Sequence, residues 1–151
     1  MYKPRYIQYI NLPNIPQKII NDLKISWSNH HKSSLDSGKS YIWSDFENHN
    51  LNQWCKENIS QDIYWSYQII AGDAAAHRDK VSLTKINYIA DTGNENVKTI
   101  FWNDDQTEIL DEYIIEPHRW HIFKADTLHS VEGIEPGQIR WSVFGNIFIK
   151  E

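Results

Sequence analysis

IYWSYQII, residues 63–70, is the stretch whose reading decides the fold. It is rich in Ile, Tyr and Trp, the side chains that suit a pleated, half-buried surface. The same texture recurs in SLTKINYIA (82–90), VKTIFWN (97–103), TEILDEYIIE (107–116), HRWHIFKA (118–125), TLHSV (127–131) and IRWSVFGNIFI (139–149). Between these runs lie GDAAA, DTGNEN, NDDQ, EP and EPG, which are turn chemistry. Short strands at intervals of roughly ten residues predict a mainly β domain, a sandwich or jelly roll.

Upstream the pattern differs. NIPQKIINDLK (14–24) reads as a short helix, with Asn14 as its cap, Pro16 in its first turn and Ile15, Ile19, Ile20 and Leu23 on one face. SNHHKSSLDSGKS (28–40) has no periodicity and reads as a loop, in which His30 and His31 are solvated. FENHNLNQWCKEN (46–58) suggests a second helix with Leu51, Trp54 and Cys55 inward. No linker or repeat divides the chain. We therefore expect a single domain over 1–151, with a helical and loop part at about 1–60 packed outside a β core at about 61–150.

Composition narrows the function classes. A chain with 40% hydrophobic and 23% charged residues is an ordinary globular one, not a disordered one. Its net charge of −5 and its four arginines make nucleic acid an unlikely partner, since phosphate binding rests on clustered Lys and Arg. The single Cys55 excludes an intrachain disulfide and a cysteine-based zinc site. It is compatible with a reducing cytoplasm, the expected location. There is no membrane-length apolar run, and MYKPRYIQYINLP lacks the core and cleavage site of a signal peptide.

AHRDK (76–80) carries the first chemical signal. His77 and Asp79, on a turn past the strand ending at Ile70, are two apart; on extended backbone both point the same way and can share one ion. Such a triplet alone is what chance delivers in this composition. A third ligand would make two imidazoles and a carboxylate on one face of an octahedron, the donor set of non-haem iron(II) oxygenases. His129 is the candidate, because the four strand runs between Asp79 and His129 can bring the chain back beside its start. HSVEGIEPGQIR (129–140) then suggests a hairpin symmetric about residues 134 and 135, placing Arg140 across from His129 and Ser142 on the same side. Charge counting favours an arginine there. Iron(II) with one carboxylate is +1, a dianionic oxo-acid brings the sum to −1, and a guanidinium restores neutrality.

The order HRD, His129, RWS resembles the pattern of Fe(II)- and 2-oxoglutarate-dependent dioxygenases. Over about Tyr67 to Phe144 the chain looks most like compact aspartyl- and prolyl-hydroxylase-like members, including small phage- and bacteria-encoded ones. The resemblance implies a double-stranded β-helix, a cupin-like jelly roll, with the site inside one end. It implies iron on His77, Asp79 and His129, and the C5 carboxylate of 2-oxoglutarate on Arg140 and Ser142. The activity it implies consumes O2 and 2-oxoglutarate, releases succinate and CO2, and hydroxylates a small molecule or peptide side chain. A Gly-Gly motif common among prolyl hydroxylases is absent from DTGNENVKTIFWN, so the resemblance names no substrate.

Tyr67, Asn87, Tyr88 and Trp102 are candidate pocket walls, although alternation forbids Asn87 and Tyr88 from both facing inward. His118 and His121 read as surface residues or as supports behind a ligand. Asp104 and Asp105 read as a turn. The competing function is a non-catalytic cupin-like module that binds metal or sugar, for which the many tryptophans would supply stacking faces.

Overall fold

A computed structural model describes residues 5–35, 43–79 and 84–147, of which 30–35, 43 and 44 are described by backbone only. Ten strands and two helices follow in the order β1 (Ile7–Tyr9), α1 (Gln17–Leu35), β2 (Trp43–Phe46), α2 (His49–Asn58), β3 (Trp65–Ile70), β4 (Ala74–His77), β5 (Thr84–Asp91), β6 (Lys98–Trp102), β7 (Ile109–Tyr113), β8 (Trp120–Phe123), β9 (His129–Glu132) and β10 (Arg140–Ile147). They form a six-stranded sheet, β1-β8-β5-β10-β3-β2, and a four-stranded sheet, β4-β9-β6-β7. Every pairing is antiparallel. From β3 to β10 the chain changes sheet at every step except the β6–β7 hairpin, in the winding of a jelly roll, and the fold is a double-stranded β-helix.

The seven strand runs of the sequence all contain strands. Three strands were not foreseen. β1 and β2 come from the N-terminal third and extend the large sheet at both edges, so that third is more than a helical cover. β4 takes up AAAH, read above as part of a turn; only the residues around Gly72 and Asp73 turn the chain. The first helix also runs well past residue 24. Trp27, 3% exposed, continues the buried stripe of Ile20 and Leu23 at helical spacing, and this burial carries α1 through the stretch read as a loop. The side chains of His30 and His31 lie outside the described residues. The second helix begins later than expected, because Phe46 belongs to β2 and Asn48 caps α2 by accepting a 3.0 Å hydrogen bond from the Leu51 amide.

Both helices cover the outer face of the large sheet. Ile20, Leu23 and Trp27 from α1, with Leu51 and Cys55 from α2, pack on Trp65, Tyr67, Ile69, Tyr88, Trp120, Trp141 and Val143. Trp27 meets Trp141 edge-on at 5.3 Å between ring centres, and Trp65 meets Trp120 at 5.5 Å. A second cluster, Ile7, Ile89, Phe101, Ile115, Phe123 and Ala125, fills the space between the sheets. Among the described residues no helix is long and apolar enough to cross a membrane.

Candidate metal centre

Strand register assigns each side chain to a face. In β10, Val143 pairs with Tyr67 and Tyr88, while Ser142 pairs with Gln68 and Ile89, and Phe144 pairs with Asn87. Because faces alternate, Tyr67, Tyr88, Trp141 and Val143 point to the helices. Gln68, Asn87, Arg140, Ser142 and Phe144 point between the sheets, where they line a narrow cavity of about 50 Å3. Of the four candidate wall residues only Asn87 lines this cavity. Tyr67 stacks on Phe46 and Trp141, and Tyr88 packs on Trp120, both in the outer core. Trp102 follows a bulge at the end of β6 and donates its indole N–H to Ser130 Oγ at 2.9 Å, away from the cavity.

His77, Asp79 and His129 meet at the cavity, with one ligand atom from each lying within 4.8 Å of the others. His77 closes β4 directly opposite His129 of β9, and their ring centres are 4.5 Å apart. Asp79 lies two residues beyond, its amide donating to the Ala125 carbonyl at 3.0 Å. Its Oδ1 stands 3.8 Å from His77 Nε2 and 3.9 Å from His129 Nε2. Ligand atoms adjacent on one metal ion are about 3 Å apart, so a shared ion would require these groups to draw closer together.

The hydrogen bonds of the two histidines fix their tautomers. Nδ1 of His77 lies 2.8 Å from the Ala75 carbonyl, and Nδ1 of His129 lies 2.6 Å from the Thr127 carbonyl. A carbonyl only accepts, so each Nδ1 carries the proton and each Nε2 presents a lone pair to the site. Burial pushes the His129 imidazole down to about 4; the Thr127 hydrogen bond and Asp79 act against this, and His77 and Lys85 add to it. Arg78, between the two β4-end ligands, points away and pairs with Asp104 at 2.6 Å, and Asp104 and Asp105 make the expected turn.

Arg140 and Ser142 reach the same cavity by a different route from the one the spacing suggested. The turn at Pro136 and Gly137 exists, but β9 and β10 do not form a hairpin. β9 pairs with β4 and β6 in the small sheet; β10 pairs with β3 and β5 in the large one. His129 and Arg140 therefore belong to opposing sheets. Arg140 is 4% exposed, burial lowers its guanidinium to about 10, and its Nη1 has no hydrogen-bond partner among the described residues. A buried, charged, unsatisfied donor is costly unless an anion completes it.

Two residues were missed. Lys85 lines the cavity; its ammonium is 2.7 Å from Asp79 Oδ2 and 4.4 Å from the centre of the Phe144 ring. The signal was parity, since Lys85 shares its face with Asn87 and not with Tyr88. Asp45 of β2 accepts from the cavity residue Gln68 Nε2 at 3.1 Å, and its carboxyl is raised by burial against the pull of Lys85, with Asp79 adding to the rise. His121 is not at the surface. It is fully buried in β8, its Nδ1 3.2 Å from the Arg119 carbonyl and its Nε2 without a hydrogen-bond partner among the described residues. His118 sits in the turn before β8 at φ 61°, its Nε2 3.1 Å from the Ala90 carbonyl.

No family model matches the chain, and neither does any curated protein. Among solved structures, the crystal structure of a Pseudomonas putida prolyl-4-hydroxylase aligns with a TM-score of 0.55, covering 95% of this chain and 93% of that one, at 10% identity. The likeness is one of fold. It reaches the whole double-stranded β-helix and leaves the chemistry to be argued from the residues themselves.

Proposed function

We propose that the protein is an Fe(II)- and 2-oxoglutarate-dependent oxygenase that hydroxylates a small molecule or a peptide side chain. The observation that carries this reading is one cavity lined both by a His, Asp, His donor set and by a buried guanidinium with an unsatisfied Nη1. The donors fit the metal: two neutral imidazoles offer lone pairs, one carboxylate offers charge, and all three come from one side. The arginine fits the far carboxylate of a diacid, which its planar fork grips through paired hydrogen bonds, and Ser142 lies beside it on the same face. The likeness in fold to a prolyl-4-hydroxylase supports the class and names no substrate for this chain.

Bound iron would activate O2 at the expense of 2-oxoglutarate, giving succinate and CO2. His77, Asp79 and His129 would hold it. Arg140 and Ser142 would orient the oxo-acid, and Phe123, Ile115 and Phe144 would keep water from the reacting end. The cavity would take a five-carbon chain only with side-chain adjustment.

The test is an anaerobic titration of the protein with Fe(II) and 2-oxoglutarate. Chelation of iron by the oxo-acid should produce a metal-to-ligand charge-transfer absorbance that His77→Ala and His129→Ala abolish. Absence of that absorbance in wild type would leave a cupin-like binding module as the better reading.

A further inference from the structure

The two oxygens of the Asp79 carboxylate face different partners. Oδ1 faces both histidines, while Oδ2 is held at 2.7 Å by Lys85. The lysine side chain is only 15% exposed, unusual for a residue that normally keeps its head in water. Its ammonium is also seated on the Phe144 ring. A cation thus stands beside the position for another cation, which is a costly arrangement for a site built only to hold metal.

We propose that Lys85 is a positioning residue, acting through Asp79, that gives up metal affinity in order to favour the anionic oxo-acid. This rests on the oxygenase reading above. Two effects of the lysine share one sign for the metal. It keeps Oδ2 engaged, so the aspartate offers one oxygen and not a chelating pair, and its charge repels a divalent ion. For a dianionic oxo-acid both effects reverse. A metal position that a two-oxygen aspartate would fill stays open, and the ammonium adds a second cation to Arg140 at the cavity. With Lys85, Arg140, Asp79 and a divalent ion the site carries +3. A dianion leaves it at +1, with the carboxylate of Asp45 within electrostatic reach.

The test compares wild type, Lys85→Met and Lys85→Arg. Manganese(II) binding is read from the free-ion paramagnetic resonance signal, and 2-oxoglutarate binding to manganese-loaded protein is read by calorimetry; neither depends on turnover. Lys85→Met keeps most of the unbranched arm and removes the charge. It should bind manganese roughly tenfold tighter or more, and 2-oxoglutarate roughly tenfold weaker or more. Lys85→Arg, which keeps a cation and a donor, should move both affinities back toward wild type. A structural ion pair alone would weaken both ligands together, and that result would overturn the proposal, as would unchanged affinities in Lys85→Met. If Lys85→Met does not fold, Lys85→Arg decides: affinities far from wild type in a folded protein refute the assignment to charge. Wild-type protein that binds no manganese would instead sink the oxygenase reading itself.

Discussion

The two faces of the large sheet are made from the same strands and have opposite characters. Outward, Trp65, Tyr67, Tyr88, Trp120, Trp141 and Val143 form an apolar layer beneath the helices. Inward, one residue along each strand, Gln68, Lys85, Asn87, Arg140 and Ser142 face the cavity. Neighbours such as Trp141 and Ser142 thus face separate surroundings, the apolar core on one side and the cavity on the other. Aromatic richness in the sequence reports the first face and not the second. Stacking surfaces that might have suited a sugar are largely spent on the outer core.

The sharpest way to break this division is to strike the outer face. Trp120 is 1% exposed, and its indole N–H donates to the Pro13 carbonyl at 2.7 Å. Trp120→Ala should lower stability by about 3–5 kcal/mol, because it opens a cavity and strands that carbonyl. Chemical denaturation measures the loss, and metal affinity of the protein that remains folded should stay at the wild-type value. Coupled loss of metal binding in folded protein would show that the faces are not independent.

Striking the inner face should do the reverse. Arg140→Ala should leave manganese bound but weaken 2-oxoglutarate by about 2–5 kcal/mol, since it removes a charge-assisted pair in a desolvated cavity. Arg140→Lys should recover part of this, because an ammonium lacks the fork. Pyruvate, which has no far carboxylate, should bind both proteins about equally weakly. Equal 2-oxoglutarate affinity in wild type and Arg140→Ala would remove Arg140 from the site.

The third experiment uses pH. Burial, the dominant cause, pushes His121 down to about 4, with the Arg119 carbonyl opposing and Arg140 adding. The unfolded chain protonates this residue near 6.5, so between about pH 6.5 and pH 4 the unfolded state takes up the proton first. Stability should therefore fall as pH drops through that window, by about 3 kcal/mol at most from this residue. His121→Leu should flatten that part of the profile relative to wild type under the same conditions. His129 contributes in the same direction when no metal is bound, so the difference between the two proteins is the quantity to read. Parallel profiles would mean that His121 is solvated in the native state.

How much of this was legible follows from the size of each signal. IYWSYQII and IRWSVFGNIFI announce strands because each is a long run of β-forming residues. IQY, WSDF and AAAH do not; they are three or four residues long, and alanine has no leaning toward strands, so pairing with longer neighbours decides them. Trp27 marked the continuation of α1, but the polar residues after it hid the stripe. Residue type and order pointed to His77, Asp79, His129, Arg140 and Ser142, which the fold brings to one cavity, while the geometry joining them differs from the expected hairpin. A hairpin is the simplest account of two strands separated by Pro136 and Gly137, yet the chain crosses between sheets there. Lys85 escaped notice because one lysine in an alternating strand looks like a solvent-facing residue.

That crossing has a consequence for size selection. Were His129 and Arg140 neighbours in one hairpin, their separation could drift with the local twist of two strands. Instead the small sheet carries the histidines and the large sheet carries the arginine, so the span between them is set by the packing of the sandwich, where facing sheets stand about 10 Å apart. The sheets act as the jaws of a caliper, held open by Phe101, Phe123, Ile89 and Ile115 between them. On the oxygenase reading proposed above, a diacid one carbon shorter or longer than 2-oxoglutarate would have to bend the caliper or leave one jaw unfilled.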